Sequence, residues 1–143
     1  MRQLAFILMA TLLVQCGVRN QPGPDERLVL NDLWMLAYLN GNPVDSGSVS
    51  PQSQPPQLEI HVGEMKYNGT DGCNNIFGGI LELTESKLSF GLGAGTRMMC
   101  QNMDIPDEFN RTLTEVDNYK VEDLKLHLFD KEGTELMQFQ KID

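Results

Sequence analysis

Apolar and polar positions alternate along much of this chain with a period of two, the mark of half-buried strands. Leu58, Ile60 and Val62 alternate with Glu59 and His61, and Leu124, Leu126 and Leu128 alternate with Lys125 and His127. Leu33–Leu39 (LWMLAYL) predicts a further strand, closed by the turn sequence Asn40-Gly41-Asn42. After a Gly63-Glu64 turn, Met65 and Tyr67 open a strand that runs towards Gly69. Residues 71–83 are glycine-rich and then apolar, and Lys87–Phe90 reads as a short strand. Isolated glycines in such runs mark bulges, bends or close backbone approach. Asp130-Lys131-Glu132-Gly133 predicts a turn, with Leu136–Phe139 returning as a hairpin partner. Residues 45–57 are polar and proline-rich and read as a loop.

One segment has helical spacing. Ile105, Phe109, Leu113 and Val116 form an apolar stripe, with Asp107, Arg111, Thr114 and Glu115 facing water. The helix is expected from Pro106 to about Val116, with Asp104 as its cap. The pattern predicts an α+β fold in a single domain. It is a small, strongly curved antiparallel sheet or partial barrel of about eight short strands, plugged or flanked by one amphipathic helix.

The N-terminus follows another rule. Leu4–Val14 is apolar except for Thr11 and follows Arg2. A membrane-spanning helix needs roughly 20 apolar residues, so this run has the size of a secretory signal core instead. It closes as Leu13-Val14-Gln15-Cys16-Gly17, which resembles the lipobox of bacterial lipoproteins, although Gln15 stands where a small residue is usual. The expected organisation is a signal peptide over 1–15, a lipidated Cys16 with a flexible tether over 16–27, and a folded domain over 28–143. Acyl chains on Cys16 would bind membrane with roughly 0.8 kcal/mol per buried methylene. Gly17 after the cysteine, rather than Asp, points to the outer membrane in enterobacteria-like sorting.

Composition narrows the partners. The 143 residues carry 11 Lys+Arg against 20 Asp+Glu, a net charge of −9. That balance argues against nucleic-acid binding and against adhesion to anionic lipid by charge.

Gly72-Cys73-Asn74, followed later by Thr96-Arg97-Met98-Met99-Cys100 and a helix, resembles the META domain family and its HslJ-like bacterial lipoproteins. Trp34 followed by Asn40-Gly41-Asn42-Pro43-Val44 is similar to that domain's opening strand and turn. Asn75 stands where the family often has Arg. The resemblance implies a compact β-rich fold at the bacterial envelope, associations with stress response and envelope support, and no known enzyme activity.

With Cys16 lipidated, Cys73 and Cys100 remain, and in an oxidising periplasm two such thiols are expected to pair. Free thiols or a catalytic cysteine are the alternatives, but a nucleophile needs a nearby base. His61 and His127, the two histidines, are expected to point outward from their strands. Metal-ligand spacings such as C-x-x-C or H-E-x-x-H are lacking, and Met98, Met99, Cys100 and Met103 as a soft copper site competes with methionine as core filler. Gly91, Gly93 and Gly95 lack the spacing and context of a phosphate loop. Arg97 beside Asp71 is a candidate structural ion pair. Asn68-Gly69-Thr70 and Asn110-Arg111-Thr112 match the N-glycosylation pattern by chance.

The expected function is therefore non-enzymatic, without a cofactor or resident metal. It is a lipid-anchored envelope protein, facing the periplasm from the outer membrane, that supports or binds another envelope component. The competing reading is a carrier of a lipid or other apolar ligand inside the curved sheet.

Overall fold

A computed structural model describes residues 25–45 and 54–142 of the chain. The expected signal peptide, Cys16 and most of the tether lie outside the described residues, as does most of the 45–57 loop. The tether's last residues take up structure. Asp25 caps a 3-10 turn over Glu26–Leu30, and its side chain accepts a hydrogen bond from the Arg27 N–H.

The strands in chain order are β1 (Leu33–Leu39), β2 (Asn42–Pro43), β3 (Gln57–His61), β4 (Lys66–Thr70), β5 (Asn75–Leu83), β6 (Leu88–Phe90) and β7 (Ala94–Gly95). Helix α1 (Asp104–Leu113) precedes β8 (Asn118–Glu122), β9 (Lys125–Phe129) and β10 (Glu135–Lys141). Eight strands run in the order β6-β5-β4-β3-β1-β10-β9-β8, with the two-residue strands β2 and β7 paired to β1 and β5. All pairings are antiparallel.

The two ends of this order meet. Tyr119 N donates to Ser86 O at 2.9 Å and Leu88 N to Asp117 O at 3.2 Å, so the β6 and β8 ends come together in a nearly closed barrel. The Tyr119 hydroxyl donates to Thr84 O, and Lys87 Nζ pairs with Asp117 Oδ2 across the same seam. This near-closure covers part of the two edge strands, whose unpaired groups would otherwise invite association with other chains. The Lys87 ammonium holds the Asp117 carboxyl below its ordinary value. A carboxyl with a depressed folded pKa adds stability that is complete above its unfolded pKa, near 3.9, and is lost as pH falls through the folded value. Asp117→Asn is therefore expected to flatten the dependence of unfolding temperature on pH in the acid range. Thermal scans at pH 7 and pH 3 check this, and equal slopes in both proteins would refute it.

Trp34, Leu36, Leu58, Ile60, Leu126, Leu128 and Phe139 fill the barrel interior and are fully buried. Trp34 Nε1 donates to Leu30 O at 3.0 Å, which ties the first 3-10 turn to the core. In β1 the unbroken apolar run hides a β-bulge between Leu36 and Tyr38, where the inward face moves from 34 and 36 to 39. Gly69 marks the close backbone approach expected of strand glycines, because a Cβ there would lie 1.9 Å from Gln57 O.

Several local expectations change. Helix α1 begins at Asp104, which is its first residue rather than its cap. Asn102 Oδ1 takes the Asp104 N–H at 2.8 Å, and Pro106 sits in the first turn, where a missing N–H leaves no bond unmade. The helix ends at Leu113, three residues early, in tighter bonds from Thr114 N to Arg111 O and from Glu115 N to Thr112 O. Val116 still packs into the core. Leu124 is not a strand residue. It lies exposed at φ 60° beside Asp123 at φ 51°, in the two-residue β8–β9 turn that requires left-handed backbone. Strand β8 was not expected, since Tyr119 and Val121 are its only apolar residues.

Candidate functional site

The Gly72-Cys73-Asn74 and Thr96–Cys100 segments meet at one end of the barrel, beside α1. Asp71 opens the arrangement. Its Oδ1 accepts from Cys73 N at 2.9 Å and from Asn74 N at 2.6 Å, an Asx-type turn. Gly72 supplies the positive φ of 94° that this turn requires. Oδ2 of Asp71 accepts from Asn110 Nδ2 on α1 at 2.7 Å. The Asp71 carboxylate is 2% exposed and so anchors the helix to the β4–β5 turn from within. On the opposite side of α1, Asn40 Nδ2 donates to Glu108 Oε1 at 2.6 Å. Phe109 packs edge-on against Phe139, with ring centres 6.3 Å apart, and this seats the helix on the core.

Asn74 then clamps the second segment. Its Oδ1 accepts from Met98 N at 2.6 Å and from the Thr96 hydroxyl at 2.9 Å, while its Nδ2 donates to Met98 O at 3.3 Å. A side-chain amide satisfying both backbone groups of one residue imitates a strand partner. Asn75 N donates to Thr96 Oγ1 and Thr96 N to Asn75 O. The Cys73–Cys100 disulfide, with Cα atoms 6.0 Å apart, makes the covalent link.

The structure thus brings Gly72, Cys73, Asn74, Thr96, Met98 and Cys100 together. Arg97 and Met99 take no part in these bonds and are exposed. The candidate Arg97–Asp71 ion pair does not form, because two backbone N–H groups and Asn110 already occupy the carboxylate. With Cys100 in a disulfide, the soft copper reading loses its thiolate, and the Met103 sulfur accepts from Cys100 N instead. No cluster of three or more His, Cys, Asp or Glu residues suited to a metal occurs among the described residues. His61 Nε2 lies 2.5 Å from Asn68 Oδ1 and His127 Nδ1 lies 2.7 Å from Glu135 Oε1, both on the outer face. Neither histidine lies in the cysteine site.

The sequence reading paired Asp71 with Arg97 and so missed both its role in the turn and its contact with Asn110. The first was visible in principle, since Asp-Gly-Cys-Asn is a turn sequence in which an Asp side chain accepts from residues two and three ahead. The second was not, because Asn110 is 39 positions away and looks like any polar helix residue.

An open groove of about 820 Å³ runs between α1 and the clamped segment. Buried Tyr67, Ile76 and Leu113 contribute its base. Burial pushes the Tyr67 hydroxyl's pKa up. Above them stand Leu92, Arg97, Met98 and Met99 on one wall and Arg111 on the other.

Comparison with known proteins extends this picture. The family model for the META domain matches residues 27–143. The fold is similar to an NMR structure of a protein from Burkholderia xenovorans, at 23% identity and a TM-score of 0.62, covering 82% of this chain and 86% of that one. A second NMR structure is similar at 23% identity and a TM-score of 0.60, covering 80% and 92%. A crystal structure of a DUF4847 family protein from Bacteroides vulgatus is similar at 14% identity and a TM-score of 0.52, covering 82% and 99%. The comparison with curated proteins finds no match.

Proposed function

Since the chain belongs to the META domain family, we propose that it is a non-enzymatic binding or support module of the bacterial cell envelope, with a role in envelope integrity or stress. The observation that carries this reading is the use to which the motif's reactive groups are put. Cys73 and Cys100 are joined to each other, Asp71 is bonded to three internal donors, and Asn74 is spent on the backbone of Met98. A nucleophile, a base and an oxyanion donor that must act on a substrate need free valences, and these residues are committed to shape. Shape is what a binding surface requires.

The reading places the domain on a lipid anchor. Residues 1–15 act as a lipoprotein signal peptide, Cys16 carries the acyl chains, and the following tether leads to the domain. Eight residues lie between Cys16 and Asp25, a reach of at most roughly 30 Å, so the domain stays close to the bilayer. No helix among the described residues is long and apolar enough to cross a membrane. A disulfide of this kind persists in oxidising compartments, which agrees with a periplasmic location. The Gly17 rule favours the outer membrane.

Two observations bear on the carrier reading. The barrel interior is occupied by Trp34, Phe139 and the aliphatic side chains around them, while the roomiest of the surface grooves described, about 820 Å³, lies beside α1. An apolar ligand would therefore be held at that groove and not inside the sheet.

Cys16→Ser tests the anchor. The variant is expected to lose metabolic labelling by a fatty acid and to remain as uncleaved precursor or leave the outer-membrane fraction. An unlabelled wild-type protein, or a variant with unchanged labelling and distribution, would overturn the lipoprotein reading.

A further inference from the structure

We propose that the groove between α1 and the Leu92–Met99 segment binds a single-chain anionic amphiphile, specifically a long-chain fatty carboxylate. The inference deepens the binding role proposed above by assigning it a site and a ligand class. It starts from a mismatch between backbone and side chains. Thr96–Cys100 is held by hydrogen bonds to Asn74 and Asn75 and by the disulfide, yet its apolar side chains face water. Met99 is 86% exposed and Met98 55% exposed, and Leu92 on the same wall is 92% exposed. A segment pinned so firmly does not expose these groups through looseness. Contiguous exposed apolar groups around a concave surface mark an interaction site.

The residue types indicate the ligand. Three of the chain's eight methionines, Met98, Met99 and Met103, line the groove. Unbranched thioether side chains adapt to ligands of variable shape, as an acyl chain demands. At about 820 Å³ the groove is in the range that holds drug-sized ligands. Two of the chain's five arginines also line it. Arg111 is answered by Glu115 Oε1 at 3.1 Å and lies 3.9 Å from Glu108 Oε1. Arg97 makes no ion pair among the described residues and stands exposed beside the methionines. Two carboxylates line the groove, Asp71, which is buried and accepts from three neutral donors, and Asp107 on α1. In a chain of net charge −9, an exposed guanidinium without an ion pair among the described residues, set beside exposed apolar side chains, is a point at which an anionic headgroup can be held. Its planar fork matches a carboxylate held by two parallel hydrogen bonds. The carboxylate would sit on Arg97 and the chain would lie along Met98, Met99 and Leu92.

The test uses membranes containing the full-length protein. They are illuminated with a diazirine-bearing hexadecanoate, and in parallel with the corresponding hexadecanol. The expected result is saturable labelling by the carboxylate, competed by dodecanoate and mapped by mass spectrometry to residues 92–114. Arg97→Gln is expected to reduce carboxylate labelling roughly tenfold, the cost of one charge-assisted bidentate contact, and to leave the weak alcohol labelling unchanged. Met99→Gln should reduce both. Both substituted residues are exposed, and an unchanged circular dichroism melt of each purified variant reports that the fold is intact. Labelling that is unsaturable, that maps elsewhere, or that is equal for carboxylate and alcohol would overturn the proposal. So would labelling indifferent to both substitutions, or competed by an acidic peptide and not by dodecanoate. The anchor experiment reads only Cys16, so failure here leaves the envelope reading standing, and failure there leaves this site untouched.

Discussion

Replacing both cysteines, as Cys73→Ser with Cys100→Ser, is expected to lower the unfolding temperature by about 10 °C, as is reduction of the wild-type protein. The bond closes a loop with a sequence separation of 27 residues. On the chain-entropy account, such a loop stabilises the folded state by roughly 3–4 kcal/mol. For a domain of this size each kcal/mol moves the midpoint by about 3–4 °C. Total stability for such domains is commonly 5–15 kcal/mol, so the bond supplies a large share. The folded state should survive the loss, because Asn74 holds Met98 through both of its backbone groups. Circular dichroism melts with and without reductant measure the effect, and a fall under about 3 °C would show that the unfolded chain gains little freedom when the bond is cut. Thiol titration of the unfolded, unreduced protein is the companion measurement, and titratable thiols at Cys73 and Cys100 would contradict the pairing.

Asp71→Ala is expected to be comparably destabilising, by about 4 kcal/mol. The substitution strands the N–H groups of Cys73 and Asn74 together with one donor of Asn110, all formerly bonded to a carboxylate that is 2% exposed. Hydrogen bonds to charged groups contribute roughly 1.5–3 kcal/mol each, and buried donors left unpaired cost roughly 1–3 kcal/mol. Water entering the space left by the carboxylate would soften this. Asn110→Ala should cost only about 1 kcal/mol, since Asp71 keeps both backbone donors. Denaturant melts of the two single variants and the double variant give the coupling, which should fall between about 0.5 and 3 kcal/mol for groups in direct contact. Additive losses would show that Asp71 acts on its own turn and does not fasten the helix.

These two expectations differ in how much of their basis was legible in the chain. The cysteine pair followed from count and compartment, and the structure joins the same two residues. The Asp71–Asn110 contact did not, because it links a turn to a helix across 39 residues, and neither residue carries a local signal of the other. The same division runs through the fold. Alternation at Leu58 and Ile60 and at Leu126 and Leu128, and the stripe Phe109, Leu113 and Val116, declared which side chains face the core. That information is local, since a strand or a helix sets its inward face by its own period. Strand β8 was invisible because two apolar residues make no pattern. It exists because it pairs along its whole length with β9, from Asn118 opposite Phe129 to Glu122 opposite Lys125, and because Tyr119 N finds a further partner at Ser86 O. Leu124 belonged to a good alternating pattern and was taken from it by the geometry of a two-residue turn. Arg97 offered a charge of the right sign for Asp71, but nearby backbone N–H groups and an incoming helix amide reached the carboxylate first. From the amino-acid order alone came the curved antiparallel sheet, the single helix and the cysteine pair. Near-closure of the barrel, the start of the helix and the exposure of Met98 and Met99 were decided in three dimensions, where hydrogen bonds between distant residues outweigh local preference.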